Sequence, residues 1–291
     1  METEQKIKKL LKIPVYLTLL MIFAKFVVYA ISGSLSILSL FADSFFDFIS
    51  SLISLVAYKY SKKDKTEKYQ YGFYGIIDIT TIVISLMILS TSFIIIYKAI
   101  ANIIHKNVLN YDLASVMVMT FSSLISIGIA IVLKNAYKKT KLLVIKSEIA
   151  HYSADGFTNF SVLISILICK YIYNSYLIDP IIAIIMAFLI AKPAFEILIE
   201  AINNIMSKEI DSKIKEKIIN IINKKPDVIG YKVFKTRQSG ERIFVQMYIN
   251  INKDLTFEKA HNIVEELEKE IENNIENSEI IIHACPKKIE S

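Results

Sequence analysis

The chain has 291 residues, of which 54% are hydrophobic, and its mean hydropathy is +0.46. Soluble domains are only about 45–50% apolar even when glycine is counted, so this is not the composition of an ordinary soluble protein. The net charge of +6 comes almost entirely from lysine. Most lysines lie between apolar segments rather than on one soluble face, so no nucleic-acid partner is expected.

Six apolar segments precede residue 205, each with the ~20 residues that a helix needs to cross the hydrocarbon core of a membrane. We expect helices because lipid offers the backbone no hydrogen-bond partner. The predicted spans are about 13–32, 36–57, 76–97, 112–133, 148–172 and 177–199.

Lysines mark one side of this predicted membrane domain. They are concentrated before the first span, between the second and third spans, and between the fourth and fifth, at residues 6–12, 59–68 and 134–146. The positive-inside rule therefore predicts that both termini lie in the cytoplasm.

The pattern changes after Met206 and becomes that of a small soluble domain. Helical periodicity is followed by two strands joined at Ser239-Gly240, a second helix capped by Thr256, and a short last strand. We therefore expect a polytopic α-helical membrane protein with a six-helix domain over 1–205, followed by a cytoplasmic α+β domain over 206–291. The predicted αββαβ elements are 210–224, 228–237, 242–251, 256–273 and 280–283.

Ionisable residues inside two of the spans are the chief functional signal. Asp43 and Asp47 lie in the second span, and His151 and Asp155 lie in the fifth. An ionisable group at mid-membrane costs about 2.5–3.5 kcal/mol, so its default interpretation is functional. Residues four apart share one helical face. Two facing helices would thus present three carboxylates and one imidazole to a common divalent cation, a set that suits tetrahedral coordination.

A purely structural alternative is ion pairing with Lys25 in the first span. Such a pair would explain one aspartate but would leave His151 and two carboxylates without a purpose. Ser44, Ser153 and Asn159 could donate hydrogen bonds to the ligands, or they could be small or polar helix-packing residues, which is the interpretation we favour.

The sequence resembles the cation diffusion facilitator family of divalent-metal/proton antiporters. The matching motifs are Asp43-x-x-x-Asp47, His151-x-x-x-Asp155, Asp179-Pro180-Ile181 at the sixth span, and TRQSG and IIH in the soluble part. The resemblance implies a homodimer joined through its cytoplasmic domains. It also implies one metal per protomer at Asp43, Asp47, His151 and Asp155, exported by alternating access in exchange for protons.

The resemblance is weaker in the soluble domain. Positions that hold metal ligands in well-studied zinc exporters are Lys232, Tyr248 and Cys285 here. His261, His283 and Cys285 could still form a reduced metal site, since imidazole and thiolate both bind zinc. The alternative is that His261 is a helix-surface residue and that His283 and Cys285 mark a strand end.

The four-ligand set does not select sharply among metals: zinc is the first choice and iron(II) the second, with manganese(II), cobalt(II) and cadmium also possible. A channel is disfavoured because no filter-like loop is visible. An intramembrane metalloprotease is disfavoured because HExxH is absent, and no enzymatic activity is expected. A metal-sensing or structural membrane protein with little transport is the remaining alternative. The bias towards lysine, isoleucine and asparagine indicates a bacterium with an AT-rich genome. We therefore expect a multi-pass protein of the bacterial inner membrane.

Overall fold

The computed structural model describes residues 2–33, 35–106, 113–171, 175 and 177–287. The chain divides into two compact units, Met1–Ala201 and Ile202–Ser291. The described secondary-structure elements of the first are all helices, and the second combines helices with one sheet.

Within the described residues, the membrane unit contains six helices that are long and apolar enough to cross a bilayer. Hydrogen bonds from each backbone N–H to the carbonyl four residues earlier keep the polar main chain satisfied inside each helix, as lipid requires. The chain is therefore a multi-pass membrane protein. The helices are α1 (Glu2–Ser32), α2 (Leu35–Ser61), α3 (Ile76–His105), α4 (Leu113–Thr140), α5 (Leu143–Tyr171) and α6 (Ile178–Ile205).

The polarity of this unit is that of a protein in lipid. Large aromatic side chains such as Phe23, Phe93 and Phe121 are more than 60% exposed on its outer faces. Hydroxyls are buried inside it, including those of Ser51 and Ser54, which are each 1% exposed. Apolar groups can face lipid without penalty, while polar groups gain by bonding to one another between helices.

The helices of the membrane unit associate in pairs. α1 packs chiefly on α2, and α4 packs chiefly on α5. Gly156 permits the second pairing, because an added Cβ there would lie 2.7 Å from Cγ1 of Ile127. Ser123 of α4 also donates a hydrogen bond to the Gly156 carbonyl at 2.9 Å. The α2 and α5 faces that carry the ionisable motifs therefore belong to two different helix pairs.

The soluble unit has the predicted αββαβ order. It comprises α7 (Ser212–Asn223), β1 (Val228–Ser239), β2 (Arg242–Asn252), α8 (Phe257–Asn274) and β3 (Ser278–Lys287). β2 lies between β1, to which it is antiparallel, and β3, to which it is parallel. Side chains of Asp211 and Thr256 cap the two helices through the backbone N–H groups of Lys213 and Lys259.

The core of the soluble unit lies between the helices and one face of the sheet. Apolar positions of α7 and α8, such as Ile218 and Leu267, pack against Val245 and Met247 of β2, and all four are almost fully buried. The turn at Ser239-Gly240 is present, with Gly240 at a φ of +55°, which glycine adopts readily.

Several predicted ends are wrong. The fifth helix begins at Leu143 rather than at 148, because residues 143–147, which include Lys146, belong to the helix and not to the preceding loop. β3 has 10 residues rather than four, because it pairs with β2 along nearly the whole length of that strand. The predicted ends at 112 and 172 lie outside the described residues.

Candidate metal centre

Three of the four predicted membrane ligands converge. One ligand atom each from Asp47, His151 and Asp155 lies within 4.8 Å of the other two. The Nε2 atom of His151 is 3.3 Å from Oδ1 of Asp47 on α2 and 3.7 Å from Oδ2 of Asp155 on its own helix. This arrangement joins two helix pairs at one point inside the membrane unit.

The distances fit a divalent cation. A tetrahedral site with Zn–N and Zn–O bonds of about 2.0–2.2 Å has ligand–ligand edges of roughly 3.3–3.6 Å. The two measured separations are close to those edges. The Nε2 atom of His151 and the Oδ2 atom of Asp155 are also buried with no hydrogen-bond partner among the described residues. Such atoms are usually satisfied by protein, water or an ion, so these two are chemically available as ligands.

Asp43 lies outside this three-residue cluster. It is one helical turn before Asp47 on α2 and its side chain is exposed, whereas that of Asp47 is only 14% exposed. Four residues of α-helix rise about 6 Å, which two short aspartate side chains do not easily bridge. His151 has the longer side chain and so reaches Asp155 across the same spacing.

Lys25 is buried beside these carboxylates at 5% exposure. Its Nζ atom donates hydrogen bonds to the Leu40 carbonyl at 3.0 Å and to Oγ of Ser44 at 2.7 Å. Ser44 is thus a partner of Lys25 rather than a mere packing residue. The ammonium interacts electrostatically with Asp47, Asp43 and Asp155. Its hydrogen bonds, however, go to uncharged partners.

Glu148 is a buried acidic residue that sequence reasoning missed. It is 1% exposed, lies three residues before His151, and accepts hydrogen bonds from Ser50, Ser51 and Ser54 of α2. Glu148 lies two residues after Lys146, which the sequence assigns to the loop before the fifth span, so Glu148 was interpreted as the start of that span and not as a buried group. The signal that could have found it is the run of serines on α2 in the turns that follow Asp47.

The three predicted soluble ligands do not form a comparable cluster among the described residues. His261 lies on α8, whereas His283 and Cys285 lie on β3. Ile282 and Ala284, which alternate with these two residues along β3, pack into the core against α8. Since successive residues of a strand point to opposite faces, His283 and Cys285 point away from that core. The ring of His283 instead contacts Tyr248 of β2, with centroids 5.0 Å apart.

Comparison with known families accounts for nearly the whole chain. Residues 11–206 match the family model described as the cation efflux transmembrane domain. Residues 210–287 match the model described as the cytoplasmic domain of cation efflux proteins. The two matches correspond to the helical unit and to the unit that contains the sheet.

Individual relatives are distant but match over most of their length. The cation-efflux pump FieF of Shewanella oneidensis is 24% identical over 94% of this chain and 91% of its own. Protein p34 of Rickettsia rickettsii is 26% identical over 100% of this chain and 96% of its own. Among solved structures, a nickel form of the MamM CTD is 23% identical, with a TM-score of 0.26, over 27% of this chain and 100% of its own. Because the transmembrane family model alone matches more than half of the residues, the chain belongs to the cation efflux, or cation diffusion facilitator, family of membrane transporters.

Proposed function

We propose that this protein exports a divalent metal cation from the cytoplasm in exchange for protons. The observation that carries the proposal is the convergence of Asp47, His151 and Asp155 from two helix pairs inside a membrane bundle. A cation bound there is held by ligands from both pairs. Movement of one pair against the other would change the side from which the cation is reached, which is alternating access.

Asp43 is the proposed fourth ligand. It lies one turn before Asp47 on the same face of α2, so a local change of that turn and of its side-chain rotamer would bring its carboxylate towards a bound ion. Zinc is the preferred substrate and iron(II) the second choice. Three carboxylates and one imidazole also accept manganese(II), cobalt(II) and cadmium.

Competition between metal and protons supports the exchange. Carboxylates and imidazole bind a metal only when they are deprotonated, so metal binding releases protons and protonation releases metal. Imidazole titrates near neutral pH, which makes His151 the proposed carrier of at least one exchanged proton.

We further propose a homodimer in a bacterial inner membrane, with both termini in the cytoplasm and the domains 1–205 and 206–291. The lysine distribution supports the orientation. The match of residues 210–287 to the cytoplasmic family domain supports association through that part. His261, His283 and Cys285 are retained as a secondary metal site that would need rearrangement, or a second copy of the chain, to complete its coordination.

The test is a flux assay in proteoliposomes with Zn²⁺, Fe²⁺, Mn²⁺ and Cd²⁺, in which internal metal and internal pH are recorded together. We expect uptake of at least zinc that is driven by an opposing pH gradient and is abolished by Asp47→Ala. Equal transport by Asp47→Ala would contradict the proposed site. Metal binding without flux would support the sensing or structural alternative instead.

A further inference from the structure

Glu148 and the three serines around it form a buried cluster beside the metal centre. Its carboxylate accepts from Oγ of Ser54 at 2.7 Å, Oγ of Ser51 at 3.2 Å and Oγ of Ser50 at 3.4 Å. All four residues are at most 1% exposed. Tyr152 joins the cluster through a hydrogen bond between its hydroxyl and that of Ser51.

The contacts of this cluster are hydrogen bonds between oxygen atoms that are 2.7–3.4 Å apart. Burying a carboxyl group is costly unless hydrogen bonds compensate it, and here three hydroxyls do so. Every one of these donors is on α2, whereas Glu148 is on α5.

The location of these bonds gives them a consequence for the metal centre. α2 packs mainly on α1 and α5 mainly on α4, so α2 and α5 share fewer direct contacts and the hydrogen bonds of the cluster are a large part of what joins them. The metal ligands are divided in the same way, with Asp47 on α2 and His151 and Asp155 on α5. Glu148 precedes His151 by one helical turn, and Ser50 and Ser51 follow Asp47 by one turn. A slip of α2 along α5 would therefore break the cluster and separate the ligands together.

We propose that Glu148 is a positioning residue that, through Ser50, Ser51 and Ser54, holds α2 in the register at which Asp47 and His151 share one metal ion. This inference rests on the proposed function and deepens it. Glu148 acts through the ligands and does not touch the metal. Loss of the cluster would loosen the coordination geometry while leaving every ligand in the chain.

The test uses Co²⁺ as a spectroscopic probe in the full-length purified protein in lipid nanodiscs. Visible absorption bands of Co²⁺ are intense in tetrahedral sites and weak in six-coordinate ones, and a titration gives the Kd. We expect Glu148→Ala to weaken Co²⁺ binding by about 10- to 100-fold, as removal of outer-shell support commonly does, and to weaken the bands at saturation. Glu148→Gln should recover most of the loss, because an amide oxygen still accepts from the serine hydroxyls.

Ser54→Ala should weaken binding in the same direction as Glu148→Ala. The matched control is Ser92→Ala, which removes a similarly buried hydroxyl whose hydrogen bond among the described residues goes to the Ile88 carbonyl of its own helix. This control should leave the Kd and the spectrum unchanged. A thermal melt of each variant separates loss of folding from loss of geometry.

The outcomes distinguish the two proposals. If the parent protein binds no Co²⁺, the proposed function itself fails. If the parent binds Co²⁺ and Asp47→Ala does not, while Glu148→Ala and Ser54→Ala keep the parent Kd and spectrum, the positioning role is overturned and the metal centre stands. Should Glu148→Ala not fold, Ser54→Ala and Glu148→Gln decide the question by the same criteria.

Discussion

The membrane and soluble units each carry a set of residues that the sequence nominated as metal ligands, and the two sets fare differently. In the membrane unit, Asp47, His151 and Asp155 meet within 4.8 Å. In the soluble unit, His261 of α8 and His283 of β3 line one cavity, but they form no such cluster with Cys285 among the described residues. Ligands spaced four apart on helices share a face, whereas ligands on a strand and a helix meet only if the layers allow it. Motif spacing is therefore stronger evidence for the first set than for the second.

The largest contrast should come from replacing one histidine in each set. His151→Ala removes a ligand and is expected to weaken metal binding by at least ~100-fold, since even an outer-shell partner commonly contributes 10–100-fold. His283→Ala changes an exposed strand residue and should alter binding and flux by only about 2-fold. Zinc titration and proteoliposome flux of both variants would check this. A comparable loss in the two would mean that the soluble set takes part in transport.

Replacing Asp43 tests whether this residue belongs to the set of metal ligands in the membrane unit. Asp43 is the proposed fourth ligand but lies outside the three-residue cluster, so Asp43→Asn should weaken metal binding by about 10-fold, which is less than the effect of His151→Ala. Competition titrations with a zinc indicator would measure both variants. Binding by Asp43→Asn as tight as that of the parent protein would contradict Asp43 as the fourth ligand.

Replacing Lys25 should tighten metal binding, whereas the replacements of His151 and Asp43 should weaken it. Its ammonium is buried near the carboxylates that would bind the cation, so it opposes a second positive charge there. Lys25→Gln keeps a donor for the Leu40 carbonyl and for Ser44 but removes the charge. We expect metal binding to tighten by something on the order of 10-fold. Lys25→Arg, which keeps the charge, is the control, and weaker binding by Lys25→Gln would indicate that the lysine supports the site instead.

The smallest effect is expected in the soluble unit at Lys225. Its Nζ atom lies 3.2 Å from Glu270 and 3.3 Å from Glu266, and hydrogen bonds to these two carboxylates raise the pKa of Lys225 above its usual value. An exposed pair of this kind contributes about 1 kcal/mol or less. Lys225→Gln should therefore speed amide exchange in α8 only slightly, and less at high salt.

The pH dependence at Lys225 has a defined sign. Because the pKa is higher in the folded state, the stabilisation is fully present below the pKa of an unfolded lysine and is lost as pH rises through the folded value. Hydrogen exchange of Phe257–Asn274 in the full-length protein, measured across that alkaline range, would detect it. An equal pH response in Lys225→Gln would assign the change to another group.

Much of the fold was predictable because its causes are local. Apolar runs long enough to span lipid determine the six membrane helices, and periodicity with turn and cap residues determines the αββαβ order. The ends were less certain. The start of the fifth span was placed at 148 rather than at Leu143 because Lys146 was assigned to the loop between the fourth and fifth spans, whereas the helix continues through it.

The sequence by itself determined that this is a polytopic membrane protein with paired ionisable residues on its second and fifth spans, because length, hydropathy and four-residue spacing act within one helix. Only the tertiary structure decided that Asp47 rather than Asp43 meets His151 and Asp155, and that Glu148 is buried under three hydroxyls. Those bonds join residues 94–98 positions apart. The contact depends on the rotation and register of α2 against α5, which no single helix encodes.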